Sequence, residues 1–269
     1  AGNIVSPNPN TIAVTEAFQL DLTAVMLKNL IPAICALIAT IVLASLLAKK
    51  AGDGISQNDL EAAPAEKLPN ALQAFAGPLT VIVLLALRPL AKISVDPLIA
   101  LPLGGLVCIL VTGNIRNLIP YTDFGLSKVI GVAILLIGTG TIAGIIKASA
   151  LQKDMTTLLS AMNMPAFILA PLSGILMAAA TASTTAGSTV ASQTFSGTLL
   201  SAGVPALSAA AMIHAGATVL DSLPHGSFFH ATGGSVYMDI KNRMKLIPFE
   251  ALIGLTSTIV AVILYLVTA

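Results

Sequence analysis

The residues with the most chemical potential in this chain cluster in one stretch. Asp221 is followed by Ser222, Pro224, His225 and Gly226, with His214 seven residues before it and His230 nine residues after it. At the centre of a membrane-spanning helix an aspartate costs about 2.5–3.5 kcal/mol on insertion scales, so it needs a cavity, a partner or a function. A carboxyl group in such a place can take up and release a proton, and a histidine, which titrates near pH ~6.5 when unperturbed, can relay one. Asp221, with His225 or His214, is therefore the candidate proton-coupling set. His214 falls on the same helical face as Asp221, whereas Pro224 separates His225 from it. Plainer roles fit the same residues: a helix cap at the membrane surface for Asp221, and hydrogen-bonded packing for each histidine.

A second feature lies just upstream. From Thr181 to Thr198, ten of eighteen residues are Ser or Thr. Read as one helix, Thr181, Thr184, Thr185, Ser188, Thr189 and Ser192 recur at three- and four-residue steps and share a broad face. Hydroxyls can donate to a carboxylate and accept from a substrate hydroxyl without carrying a charge into the membrane. Thr181, Ser183, Thr184, Thr185, Ser188 and Thr189, together with Ser222, are the candidate substrate-binding residues. For most of the cluster, close helix packing is the competing role, with each interhelical hydrogen bond worth about 0.6 kcal/mol. Metal binding is not expected, because no Cys joins the three histidines and their spacing matches no compact zinc motif. No cofactor is expected, and no catalytic residue is named: the G-x-S-x-G elbow and the H-E-x-x-H helix are both missing, which leaves an intramembrane hydrolase only as a competing class.

Such residues need elements to hold them, and composition limits which. Of 269 residues 56% are apolar and 9% charged, against about 25% charged in a typical soluble domain. The mean hydropathy is +0.93. This composition argues against a cytosolic globular enzyme, a disordered chain and a nucleic-acid binder; the expected surroundings are a lipid bilayer. Thirteen basic and twelve acidic residues nearly cancel, and between Asp154 and Lys241 the only formally charged side chains are Asp221 and Asp239. Cys35 and Cys108 sit in apolar runs and read as small buried hydrophobes.

Apolar runs cover about Leu22 to Ala48, Ala71 to Leu87, Pro97 to Thr112 and Gly125 to Lys147, then begin again near Ala166 and Pro205, and end with Phe249 to Val267. The most polar loop, with Asp53, Asp59, Glu61, Glu66 and Lys67, follows the first. A helical crossing needs about 20 residues, and sustained period-2 alternation is lacking, so helices are the spanning solution. The expected fold is an all-α polytopic membrane protein of about seven transmembrane helices, residues 1–269 forming a single integral membrane domain. Three runs read as interrupted or re-entrant: the one with Gly138-Thr139-Gly140-Thr141 and Gly144, the hydroxyl-rich one, and the one that reaches Asp221, Pro224 and Gly226. Paired interruptions at membrane depth point to a transporter's binding site. Lys49, Lys50 and Lys67 favour a cytoplasmic loop while Arg88 and Lys92 would then lie outside, so the basic residues set no single orientation.

These segments also carry a likeness. Ser6 to Ile34 (SPNPNTIAVTEAFQLDLTAVMLKNLIPAI) resembles the internal Pro-x-Pro segment of the gluconate permease family, Gly138 to Met155 its Gly-rich motif, and Ala180 to Ser192 its hydroxyl-rich broken helix. Leu220 to Gly226 (LDSLPHG) resembles the branch of 3-hydroxybutyrate permeases. The resemblance implies a multi-pass secondary transporter of the bacterial inner membrane that takes up a small hydroxy-carboxylate, such as gluconate or 3-hydroxybutyrate, with a proton. It is compatible with a homo-oligomer. It also implies that the amino-terminal helices of the full transporter precede this chain, whose opening AGNIVSPNPN reads as an internal start. The gluconate branch carries a His-x-Asn-Asp-Ser pattern near Ser222 to Gly226; here the acid is Asp221, slightly earlier, which makes a shorter hydroxy acid at least as fitting. Sodium coupling and a channel are the alternatives to a proton symporter.

Overall fold

A computed structural model of the chain describes residues 2–51, 69–91, 93 and 95–268, among which there are helices and no strand. The loop with Asp53, Asp59, Glu61, Glu66 and Lys67, and Lys92, lie outside the described residues. Two compact units are present: Ala1–Leu47 with Val132–Ala269, and Ala48–Gly131.

The second unit is built on α4 (Ala71–Ala91) packed against α5 (Pro97–Val111). Asp96 caps α5 by accepting the Leu98 N–H, and Pro97 opens it at the position where proline's missing N–H is harmless. The other unit holds every candidate residue. It begins with α1 (Pro9–Ala17), capped by Asn8, whose side chain accepts from the Thr11 N–H, and with α2 (Leu22–Lys28), capped in the same way by Asp21. A separate helix, α3 (Leu30–Ala51), follows. The first apolar run was expected to be one helix from Leu22; it is broken at Asn29. Pro32 cannot donate to the Lys28 carbonyl and its ring crowds that oxygen, so the helix restarts instead of continuing.

The fourth run was expected to be interrupted at its glycines. It is instead continuous through α6 (Leu118–Ala148), and a Cβ built at Gly138, Gly140 or Gly144 meets nothing within 4 Å. After α7 (Leu151–Ala161) come α8 (Leu169–Thr181) and α9 (Thr184–Ser201), which pack on each other as a helical hairpin, and α10 (Ala206–Gly216), which packs against both. Residues 217–226 are non-helical and lead to α11 (Ser227–Ser235), the short α12 (Ile240–Met244) and the final α13 (Ile247–Thr268). The core lies where α1, α2, α8, α9, α10 and α13 meet; it includes Val14, Val25, Leu169, Phe195, Ile213 and Ala261.

Two helical stretches among the described residues, Leu30–Lys49 and Ile240–Thr268, are long and apolar enough to cross a bilayer. Of the other runs, four form shorter apolar helices, Ala71–Leu87, Pro97–Val111, Ala166–Thr181 and Ala206–Gly216. On α3 Ile31, Ile34, Leu37, Ile38 and Ile41 are exposed, as are Leu252, Ile259 and Ile263 on α13. An apolar surface of that extent is what contact with lipid leaves uncovered.

Candidate functional site

The hydroxyl-rich stretch is split. Thr181 ends α8, Ala182 takes a left-handed conformation at φ 45°, ψ 43°, and Ser183 opens α9, its hydroxyl accepting from the Ala186 N–H at 3.3 Å. A left-handed alanine costs roughly 1–2 kcal/mol, which sets this break apart from an ordinary turn. The expected single face from Thr181 to Ser192 does not exist, because the chain reverses after Thr181. Thr181 donates to the Met177 carbonyl of its own helix at 2.8 Å. Thr189 and Ser192 do the same to Thr185 and Ser188 at 2.7 Å each, and Ser188 turns to the Thr185 carbonyl at 3.3 Å. These three are buried in α9 with their hydroxyls directed to their own backbone.

The tip of the hairpin behaves differently. Thr184 donates to Asp221 Oδ2 at 2.5 Å and accepts from Asn3 Nδ2 at 2.8 Å. Asn3 Oδ1 in turn accepts from Asn10 Nδ2 at 2.5 Å, and the Thr185 hydroxyl donates to Asn10 Oδ1. Ser222 donates to Asp221 Oδ1 at 2.9 Å, so each carboxylate oxygen has one hydroxyl donor. A chain of charge-assisted and amide hydrogen bonds thus links the segment before α1, the tip of α9 and the connection after α10.

Two glycines permit this approach. A Cβ on Gly226 would lie 2.4 Å from the Ala182 carbonyl oxygen, so the start of α11 rests directly on the hairpin's turn. A Cβ on Gly254 would lie 2.3 Å from the Thr218 carbonyl oxygen, so the non-helical connection lies on the backbone of α13. Gly226 is the N-cap of α11 and no side chain caps that helix, leaving first-turn N–H groups beside the hairpin tip.

Asp221 and Ser222 line a cleft of about 180 Å³ with Asn3, Phe228, Glu250 and Ser257. Glu250 lies one turn before Gly254 on the inward face of α13, which continues through Ser257, Thr258 and Ala261. Its carboxylate accepts from Arg243 Nη1 at 2.8 Å, and Arg243 is only 3% exposed. Arg243, just beyond the charge-poor stretch of the sequence, is thus buried against Glu250. Arg243 also donates from Nε to Thr232 at 3.1 Å and stacks over Phe229, 5.0 Å from its centroid.

Of the expected site residues, the structure joins Asp221, Thr184 and Ser222 directly, and Thr185 through Asn10 and Asn3. The histidines are not joined to them. His214 is wholly buried in α10, and neither ring nitrogen has a partner among the described residues. His225 is exposed, as is His230, whose ring meets Phe229 edge-on at 5.2 Å. Asn3, Asn10, Glu250 and Arg243 escaped the sequence reading. Glu250 carried a usable signal, being an acid inside the last apolar run and open to the same reasoning that singled out Asp221.

Helices with exposed apolar faces, two of them long enough to span among the described residues, are those of a helical membrane protein, and the cleft at Asp221 lies between broken helices. Over 265 residues the chain is 54% identical to an uncharacterized transporter of Haemophilus influenzae, with 98% of this chain covered. It spans 63% of that protein's length. No protein-family model matches the chain. No solved structure matches it either.

Proposed function

We propose that this chain forms the substrate-handling portion of a secondary active transporter, and that the whole protein takes up a small hydroxy-carboxylate together with a proton. The observation that carries the reading is the carboxylate of Asp221, held in an unwound connection by a hydroxyl from the tip of a second broken helix. The transporter relative and the likeness of Ser6 to Ile34 and Leu220 to Gly226 to the gluconate permease family, nearest its 3-hydroxybutyrate branch, support the same class. The uncapped start of α11 suits a substrate carboxylate, because unpaired N–H groups and the helix dipole both favour negative charge. Hydroxyls of Ser222 and Ser257 suit the substrate's own hydroxyls. The location that goes with this activity is a bacterial inner membrane, crossed several times.

Coupling follows from electrostatics. Asp221 and Glu250 already place two carboxylates on one cleft. Glu250 is paired with Arg243, but the Asp221 charge repels an incoming carboxylate, which enters far more readily once a proton has neutralised it. In this reading Asp221 carries that proton; His214, enclosed in the core, and His225, outside the cleft lining, do not.

The test is uptake of gluconate and of 3-hydroxybutyrate by the whole transporter reconstituted in liposomes. Asp221→Asn abolishes accumulation driven by an acid-outside gradient while the protein still inserts; wild-type accumulation by that variant would defeat the proton role. The all-oxygen surroundings of Asp221 also fit sodium, and loss of uptake on replacing sodium with potassium would establish that reading instead.

A further inference from the structure

Arg243 is not accounted for by the reading above. A guanidinium that is 3% exposed has one carboxylate, one hydroxyl and one aromatic face as partners, while its Nη2 has no partner among the described residues. A buried donor left unmet costs about 1–3 kcal/mol, more for a charged group, and folds rarely retain one without use. Its counter-charge among the described residues, Glu250, is itself 29% exposed and lines the cleft, so the ion pair has its basic end in the protein and its acidic end at the cavity wall. Phe228, in the cleft lining, and Phe229, under the guanidinium, are neighbours at the start of α11, the uncapped helix. Among the described residues the charged groups brought to Glu250 are Arg243 from α12 and Asp221 from the connection opposite.

We propose that Arg243 is the anchor for the substrate's carboxylate, and that Glu250, its partner in the empty cleft, takes up a second proton when the substrate takes its place. The inference rests on the transport reading above and deepens it. Loading breaks the Arg243–Glu250 ion pair, adds one proton from water to the Glu250 carboxylate, and forms an ion pair between the guanidinium and the substrate. Unloading runs the exchange backwards on the other side, returning the proton to water and Glu250 to Arg243. The guanidinium is never left buried without an anion, which would be the most costly state on the path. The planar fork of arginine, with Nη2 unused, can receive the second oxygen of a carboxylate.

Counting charges makes the proposal measurable. Asp221 and Glu250 together bring two protons in with one monoanion, so each cycle moves one net positive charge inward. The experiment is uptake of 3-hydroxybutyrate and gluconate by the whole transporter in liposomes, with the pH gradient and the membrane potential imposed separately. The wild type is expected to respond to both, with an inside-negative potential raising the initial rate severalfold. Glu250→Gln is expected to keep a response to the pH gradient and lose the response to potential, because one proton and one anion cancel. Arg243→Gln is expected to raise KM at least tenfold for both acids, with partial rescue by Arg243→Lys. An electroneutral wild type overturns the proposal and leaves the one-proton reading standing, and this measurement holds even if the variants fail to insert. Potential-driven uptake by Glu250→Gln, or an unchanged KM in Arg243→Gln, also overturns it. Uptake of neither acid by the wild type overturns both readings.

Discussion

Replacing Thr184 with valine keeps the shape of the side chain and removes one oxygen. That oxygen donates to Asp221 at 2.5 Å and accepts from Asn3 at 2.8 Å, and Thr184 is buried, so water cannot make good the loss. A hydrogen bond to a charged group is worth about 1.5–3 kcal/mol and a neutral one about 1 kcal/mol. Asp221 is half-buried and keeps Ser222, which places the first figure toward its lower end. The expected loss for Thr184→Val is therefore about 2–3 kcal/mol. In a double-mutant cycle with Asp221→Ala the coupling should be about 2 kcal/mol, roughly a 30-fold effect on the unfolding equilibrium. The assay is reversible unfolding of the whole protein in mixed micelles as the fraction of denaturing detergent rises. Thr184→Ser should recover most of the loss. Thr189→Val serves as the control: among the described residues its hydroxyl bonds only the Thr185 carbonyl of its own helix, and the change should stay within about 0.5 kcal/mol. If the effects of Thr184→Val and Asp221→Ala add to within about 0.3 kcal/mol, the bond between hairpin tip and connection is not part of the folded protein and the site as described fails.

Gly254→Ala would push a methyl group to within 2.3 Å of the Thr218 carbonyl oxygen; loss of about 2 kcal/mol or more, with uptake abolished, is expected in the same unfolding and transport assays. Gly226→Ala meets the Ala182 carbonyl oxygen at 2.4 Å and should behave alike, and a fully stable variant at either position would rule out the close approach. His214 is buried with both nitrogens unpartnered among the described residues, so His214→Leu should raise stability by about 1 kcal/mol and leave proton-driven uptake intact.

Much of the helical class was legible because it follows from charge scarcity and apolar run length, both of which are additive over residues. At the candidate site Asp221 stood out because an acid in an apolar run is expensive wherever the chain folds, and the structure places it on a cleft. What the sequence could not reveal is direction. Thr181 and Thr184 are three residues apart and look like neighbours on one face, but a left-handed Ala182 turns the chain between them, and alanine gives no warning of that conformation. The glycines of the fourth run erred in the opposite sense, remaining in a continuous helix where glycine composition alone reads as a break. Arg243 was missed for a third reason: its burial and its pairing with Glu250 join two helices, and alone it looks like an ordinary charge near a membrane surface.

The turn at Ala182 also bears on how the protein is threaded through a bilayer. With 13 residues, α8 is about 20 Å long, well short of a hydrocarbon core of about 30 Å. A hairpin that turns back inside the membrane returns its chain to the face from which it entered, so it adds nothing to the count of crossings. Were the α8–α9 hairpin re-entrant in this way, every loop beyond Ser201 would have the opposite sidedness from the one a tally of apolar runs assigns. A label placed in the stretch between α9 and α10, tested for access from either face, would read that parity directly.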